Sequence, residues 1–325
     1  MNYPRVWLFG GIVFCILILL TPLDHVRSAP VTRLSIGTAS AGGTFYIIGA
    51  GMADILAKQL PNTNVVAEQT GGSVENINLL DNKDLDMAMA PTAIALPAAR
   101  GEKPFKKKMA LMTGWMIYDA PLHIVALKKS GLKTFYDLKG KKVSIGPSGS
   151  GANAQTMNVL EAHGVNKNDF KPVFTGYEQA GDAVSDGLLD AAAIMGSIPV
   201  PAVESLATLK EIVLIEMDPA AMNKMERLTG MPYLPTTVPA KTYKGQDKPV
   251  ILQSAPSYIW LHPNMDEGLA YSIVKTVFAN VDKLIKIHPT AKQFKILSRK
   301  ETEQLGVPAH PGIIRYAKEI GVWER

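Results

Sequence analysis

Cysteine is nearly absent from this chain of 325 residues: it occurs once, at position 15. Residues 29–325 therefore hold no disulfide, no thiol nucleophile and no cysteine-ligated metal. No apolar run reaches the roughly 20 residues a membrane helix takes; the longest, Val6–Leu20, has 15. Charge of one sign is not in excess, since 34 Lys and Arg face 29 Asp and Glu. A polyanion-binding chain is thereby disfavoured, and Lys103-Pro-Phe-Lys-Lys-Lys108 reads as a solvated loop rather than a nucleic-acid patch.

Catalytic motifs are missing as well. The glycine-rich segments carry neither the dinucleotide nor the P-loop spacing of glycines. Gly146-Pro-Ser-Gly-Ser150 and Gly71-Gly-Ser-Val-Glu75 fall short of a nucleophile elbow by their last residue. His123, His163, His262, His288 and His310 are scattered without metal or triad spacing and read as structural. No enzyme, cofactor or metal is expected.

What is present begins with Arg5, an apolar core and the breaker Thr21-Pro22, followed by Val26-Arg27-Ser28. This is the layout of a secretory signal with cleavage after residue 28, an uncleaved anchor being the alternative. Cys15 sits inside the apolar run, which argues against a lipoprotein. Residues 29–325 are expected to be exported in soluble form. At 47% hydrophobic and 19% charged, the chain has material for two ordinary cores.

Strand-like and helix-like stretches alternate, which argues parallel sheets with crossover helices. Strands are predicted at 33–38, 64–69, 85–90, 122–127, 142–145, 171–174, 189–195 and 257–261. Helices are predicted from Thr44, Ser73 and Glu178, another ends at His163, and one long helix carries Met265, Leu269, Ile273, Val277, Val281 and Ile285 every four residues. Residues 216–250 read as irregular and Pro-rich. The pattern changes near 117–121 and 252–258, so two lobes are expected with two chain crossings. Residues 29–118 form the first lobe, 119–255 the second, and 256–325 return to the first.

Three glycine-rich loops follow strands and open helices: Gly37–Thr44, Thr70–Asn76 and Gly146–Asn153. Each joins backbone freedom to a hydroxyl and to the unpaired N–H groups of a helix start, a combination that attracts anions. Taken singly, each is also an ordinary turn and cap; three together point to a shared carboxylate site. None of them contains an arginine, so backbone and hydroxyl donors would do the holding. Trp115, Tyr118 and Tyr177 are candidates for the mouth, or for plain packing.

These segments resemble one family, the TAXI-type substrate-binding proteins of TRAP transporters. The resemblance rests on Leu34–Tyr46 with its Gly-Gly-Thr-Phe-Tyr stretch, Thr70–Asn76, Pro121–Leu127, Asp137–Gly151, and Leu305–Gly312 with Arg315, Tyr316 and Glu319. It implies an α/β, two-lobed type II periplasmic binding protein fold, each lobe a mostly parallel sheet flanked by helices, with a hinge. It further implies a periplasmic receptor that delivers a small carboxylate to a membrane-embedded TRAP permease, with no nucleic-acid partner. A receptor of an ABC importer or a sensor kinase is the alternative.

Carried onto this sequence, ligand contacts would come from Ser40, Gly43, Thr44 and Tyr46, from Gly72, Ser73 and Asn76, from Thr92, and from Ser148, Gly149, Ser150 and Gly151. The chain departs from the resemblance at Ala152 and at Ala90-Pro-Thr92, where the family is often more polar. A guest with fewer polar groups than glutamate is expected.

Overall fold

The structure is a computed structural model that describes residue 1, residues 31–231 and residues 233–324. Residues 2–30, which hold all but the first residue of the proposed signal segment 1–28, lie outside the described residues, as do Pro232 and Arg325.

The chain opens with strand β1 (Thr32–Gly37), helix α1 (Thr44–Gln59), β2 (Thr63–Glu68), α2 (Ser73–Asn82), β3 (Met87–Pro91) and α3 (Thr92–Arg100). Strand β4 (Met112–Leu127) leads to β5 (Lys142–Ser144), α4 (Gly151–Ala162), β6 (Lys171–Val173), α5 (Tyr177–Ser185) and β7 (Ala191–Met195). Then come α6 (Pro201–Leu209), β8 (Ile212–Leu214), α7 (Pro219–Thr229), β9 (Leu234–Val238) and β10 (Val250–Leu261). Four helices close the described chain: α8 (Glu267–Ala279), α9 (Val281–Ile287), α10 (Arg299–Leu305) and α11 (Pro311–Glu319).

Strand order is β2-β1-β3-β10-β4-β7-β5-β6, with β8 on β4 and β9 on β10. Both ends of the sheet are parallel: β1 pairs β2 and β3 in one half, β5 pairs β6 and β7 in the other. The two long antiparallel strands join them. β4 pairs β10 from Met112 to Pro121, then turns its remaining residues, Leu122–Ala126, onto β7. One strand therefore runs straight through the place where the sequence changes pattern, and Pro121 sits within it.

The local reasons are visible. In α1, Phe45, Ile48, Met52 and Leu56 recur at helical spacing and are all buried. β7 reads Ala-Ala-Ala-Ile-Met and is buried on both faces, as a strand covered by helices should be.

Three expectations needed correction. The long C-terminal helix is two helices. Asn280 breaks it, with its side-chain amide donating to the Thr276 carbonyl at 2.8 Å and exchanging bonds with Gln59. The Pro-rich stretch 216–250 contains α7 and β9. Pro219 opens α7 at a position that needs no N–H, with Asp218 as its cap, and Pro235 lies in β9. The strands predicted at 122–127 and 257–261 are the ends of the longer β4 and β10.

Candidate functional site

Loops leaving the carboxyl ends of β1, β2 and β5 carry the three glycine-rich segments into α1, α2 and α4. That edge is where open α/β sheets place their crevice. The loops meet around one cavity, lined by Ala39, Gly43, Thr44, Phe45, Gly72, Ser73, Tyr118, Ala120, Ser150, Gly151, Tyr177 and Met195. Both halves of the sheet contribute: Ala39, Gly43, Thr44, Phe45, Gly72 and Ser73 from one, Ser150, Gly151, Tyr177 and Met195 from the other.

Helix starts carry N–H groups that the helix itself cannot satisfy. At α1 and α2 the N-caps are Gly43 and Gly72, which offer no side chain. Among the described residues, no acceptor meets the main-chain N–H of Thr44, Phe45, Ser73 or Gly151, all of which line the cavity. Three helix dipoles thus present their positive ends to one small volume. α4 differs in one respect, because the Ser150 hydroxyl accepts from Asn153 N–H at 3.0 Å.

The cavity itself is about 10 Å³, room for a single water. A guest of several heavy atoms enters only as the walls part. What holds them together is a set of bonds between the loops. Val74 and Glu75 N–H donate to the Gly149 carbonyl at 3.1 and 3.2 Å. Glu178 N–H donates to Ala41 O at 3.4 Å, and Ala202 N–H to Gly42 O at 3.1 Å. Ser197 N–H donates to the Thr44 hydroxyl oxygen at 3.0 Å, and the two hydroxyls lie 2.9 Å apart. Since Ser197 Oγ donates to Pro199 O, the Thr44 hydroxyl donates to Ser197.

The wall is uncharged and mixes hydroxyls with apolar side chains. Phe45 and Tyr118 meet edge to face at 5.7 Å between ring centres. Burial pushes the Tyr118 phenol well above the ordinary tyrosine range, opposed by the neighbouring Thr44 hydroxyl. Burial raises Tyr177 in the same way. Both rings therefore stay neutral hydrogen-bonding groups at any physiological pH. Among the described residues, no three His, Cys, Asp or Glu side chains gather to hold a metal.

Of the twelve predicted contact residues, Gly43, Thr44, Gly72, Ser73, Ser150 and Gly151 line the cavity. Six stand outside it. The Ser40 hydroxyl accepts from Tyr177 N–H at 3.4 Å, so it caps α5 from the opposite half. Asn76 is a staple: its amide nitrogen donates to Gly37 O, Thr38 O and Met89 O at 3.1, 2.7 and 2.9 Å, and its oxygen accepts from Thr70 at 2.6 Å. No hydrogen of that amide is left for a guest. Tyr46 points instead into a separate groove of about 300 Å³, whose lining includes Glu178, Asp182 and Leu209. Thr92 starts α3 away from the cavity, and Ser148 is exposed at the loop tip. Gly149 serves through its carbonyl, as a bond acceptor for α2.

Tyr118 and Tyr177 line the cavity, whereas Trp115 is fully buried and packs edge to face on Phe278 at 6.4 Å. Phe45, Met195, Ala39 and Ala120 escaped the sequence reading. Phe45 was legible: it extends the buried stripe of α1, while its neighbour Tyr46 lies on the outer face. Met195, the last residue of β7, has the strand-end position where such crevices form. Ala120 carried no signal, because only the pairing of β4 with β7 and β10 brings it here.

The sequence model of the NMT1-like family matches residues 36–321. Solved structures of similar fold include a Listeria monocytogenes protein assigned as an L-cystine ABC transporter, at 14% identity and a TM-score of 0.52, covering 79% of this chain and 94% of that one. A Bordetella bronchiseptica RB50 protein matches at 18% identity and a TM-score of 0.51, covering 89% and 81%. The alkanesulfonate-binding protein SsuA of Xanthomonas axonopodis pv. citri, bound to MOPS, is 18% identical with a TM-score of 0.48, covering 91% and 81%. The architecture is the α/β fold of type II periplasmic binding proteins.

Proposed function

The chain belongs to the NMT1-like family, and we propose that it is an extracytoplasmic solute receptor. In this reading a small organic acid binds where α1, α2 and α4 begin, and the loaded protein hands it to a membrane importer. One observation carries the proposal: main-chain donors at three helix starts, drawn from both halves of the sheet, stand without acceptors around one cavity.

Each helix start contributes about 0.3–1 kcal/mol toward an anion, more when buried. Charge-assisted bonds and apolar contact raise the total to roughly −7 to −9 kcal/mol, a dissociation constant near the micromolar level. The guest favours the closed arrangement because it touches both halves at once. Residues 29–118 with 256–325 form one lobe of this proposal and 119–255 the other, hinged in β4 and β10. A receptor of this kind is no enzyme, and it works outside the cytoplasm, which the signal-like residues 1–28 support.

The neighbour assigned to L-cystine ABC transport favours an ABC importer as the partner. The loop motifs of the sequence speak for a TRAP permease, and the comparisons support the ABC reading better. Calorimetric titration with a panel of mono- and dicarboxylates and amino acids tests the receptor itself. One-to-one binding near micromolar is expected, and no heat with any carboxylate would refute it. Uptake into vesicles carrying the importer then separates the partners: ATP drives one, an ion gradient the other.

A further inference from the structure

The cavity wall holds no Asp, Glu, Lys, Arg or His. The nearest acid along β4, Asp119, lies between the lining residues Tyr118 and Ala120 and so faces the other side of the strand. Glu75 is not part of the lining, and its carboxylate accepts from Gly71 N–H at 2.7 Å. An ammonium group in this cavity would lose its water and gain no anion, and a second carboxylate would find no cation.

A buried hydroxyl without a partner stands at the start of α2. Ser73 is 1% exposed and lines the cavity, and no group among the described residues hydrogen-bonds its side chain. Gly151 approaches it so closely that a side chain would not fit: a Cβ there would sit 2.9 Å from Ser73 Oγ and 2.9 Å from Met195 Cε. The rest of the wall, Phe45, Tyr118 and Met195 above all, offers rings and a thioether to an apolar tail.

We infer that the guest is a monocarboxylate with no ammonium group, its charge on the free N–H groups and the Ser73 hydroxyl and its short apolar tail against Phe45, Tyr118 and Met195. This rests on the carboxylate-receptor reading above and narrows it. Amino acids and dicarboxylates are rejected because the protein supplies no counter-charge for their second ionic group.

The test is titration of the full chain with three compounds of matched size: 3-methylbutanoate, leucine and glutarate. The monocarboxylate should bind at least tenfold tighter than either of the others. Ser73→Ala should weaken it about tenfold, with an unchanged melting temperature showing that the fold is intact. Leucine or glutarate binding as tightly as 3-methylbutanoate would overturn the inference and leave the receptor reading standing. An intact Ser73→Ala variant that binds like the parent would remove Ser73 from the site and overturn it too. Silence from all three, together with every other carboxylate of the panel, would overturn both readings.

Discussion

The two halves of the sheet treat their helix starts differently. In the β1–β3 half, α1 and α2 begin at Gly43 and Gly72, which have no side chain to cap them. In the β5–β7 half, α4 is capped by its own Ser150, and α5 is capped by Ser40 and Ala41 reaching over from the first half. The first half keeps Thr44, Phe45 and Ser73 N–H free while giving Val74 and Glu75 N–H to Gly149, and the second spends the N–H groups of Tyr177, Glu178, Ser197 and Ala202 on the clasp. A ligand site shared between halves does not need equal contributions. One half can supply charge-binding donors while the other supplies closure and the apolar wall.

The comparison can be broken most forcefully at Asn76. Its amide ties the ends of β1 and β3 to the second loop, so Asn76→Ala takes a side-chain donor from the Gly37, Thr38 and Met89 carbonyls, the Thr38 one keeping the Thr70 hydroxyl. A stability loss of about 3 kcal/mol is expected in chemical denaturation. No residue of the third loop has such a role; a loss under about 1 kcal/mol would show that the first half is not framed this way.

Acid tests the junction between the halves. His123 in β4 is fully buried and bonded to Tyr243 at 3.0 Å, and burial pushes its pKa down to about 4. The unfolded chain takes up that proton near pH 6.5. Between these values the unfolded state binds more protons, so stability falls as pH drops from about 6.5 to 4, by about 3 kcal/mol from this group. Denaturation at a series of pH values should show this limb, and His123→Gln should flatten it. A parallel limb in the variant would assign the acid loss to other groups.

Glycine gives a sharper contrast. Gly72 has φ +117°, and a Cβ there would lie 3.3 Å from Ser150 Cα. Gly72→Val should force the two loops apart and weaken ligand binding roughly a hundredfold. Gly187, at φ +75° beyond α5, has nothing within 4 Å of a built Cβ. Gly187→Ala should cost about 1 kcal/mol of stability and leave the titration unchanged. Equal binding losses in the two variants would mean that strain, rather than loop approach, governs the site.

The smallest effect sharpens the asymmetry. Ser150→Ala removes the cap of α4, which costs about 1 kcal/mol of stability. The Ser150 hydroxyl oxygen accepts from Asn153 N–H, and with Ser73 rather than Ser150 donating to the guest the dissociation constant should move less than about threefold. A tenfold loss of affinity would place that hydroxyl on the guest instead.

Much of the frame was legible from residues alone. The stripe of α1, the parallel strands and the glycine loops at helix starts are all local patterns, fixed by spacing and by backbone preference. The break at Asn280 was hidden because the apolar stripe continues through it and only the side-chain bonds to Gln59 and Thr276 mark the turn. α7 and β9 were masked by prolines that happen to sit at tolerated positions, Pro219 at a helix start and Pro235 in a strand outside the main sheet path.

The sequence by itself settled which segments carry unpaired donors, since glycine caps and helix starts are written in neighbouring residues. It also settled that no cysteine or cationic clamp stands among those loops. Only the tertiary structure decided which side chains face the cavity. Asn76 and Ser40 look like ligand contacts in sequence, yet partners 6 to 137 residues away claim their polar atoms. Long-range hydrogen bonding and the pairing of β4 with both halves made that choice, and neither has a local signature in the chain.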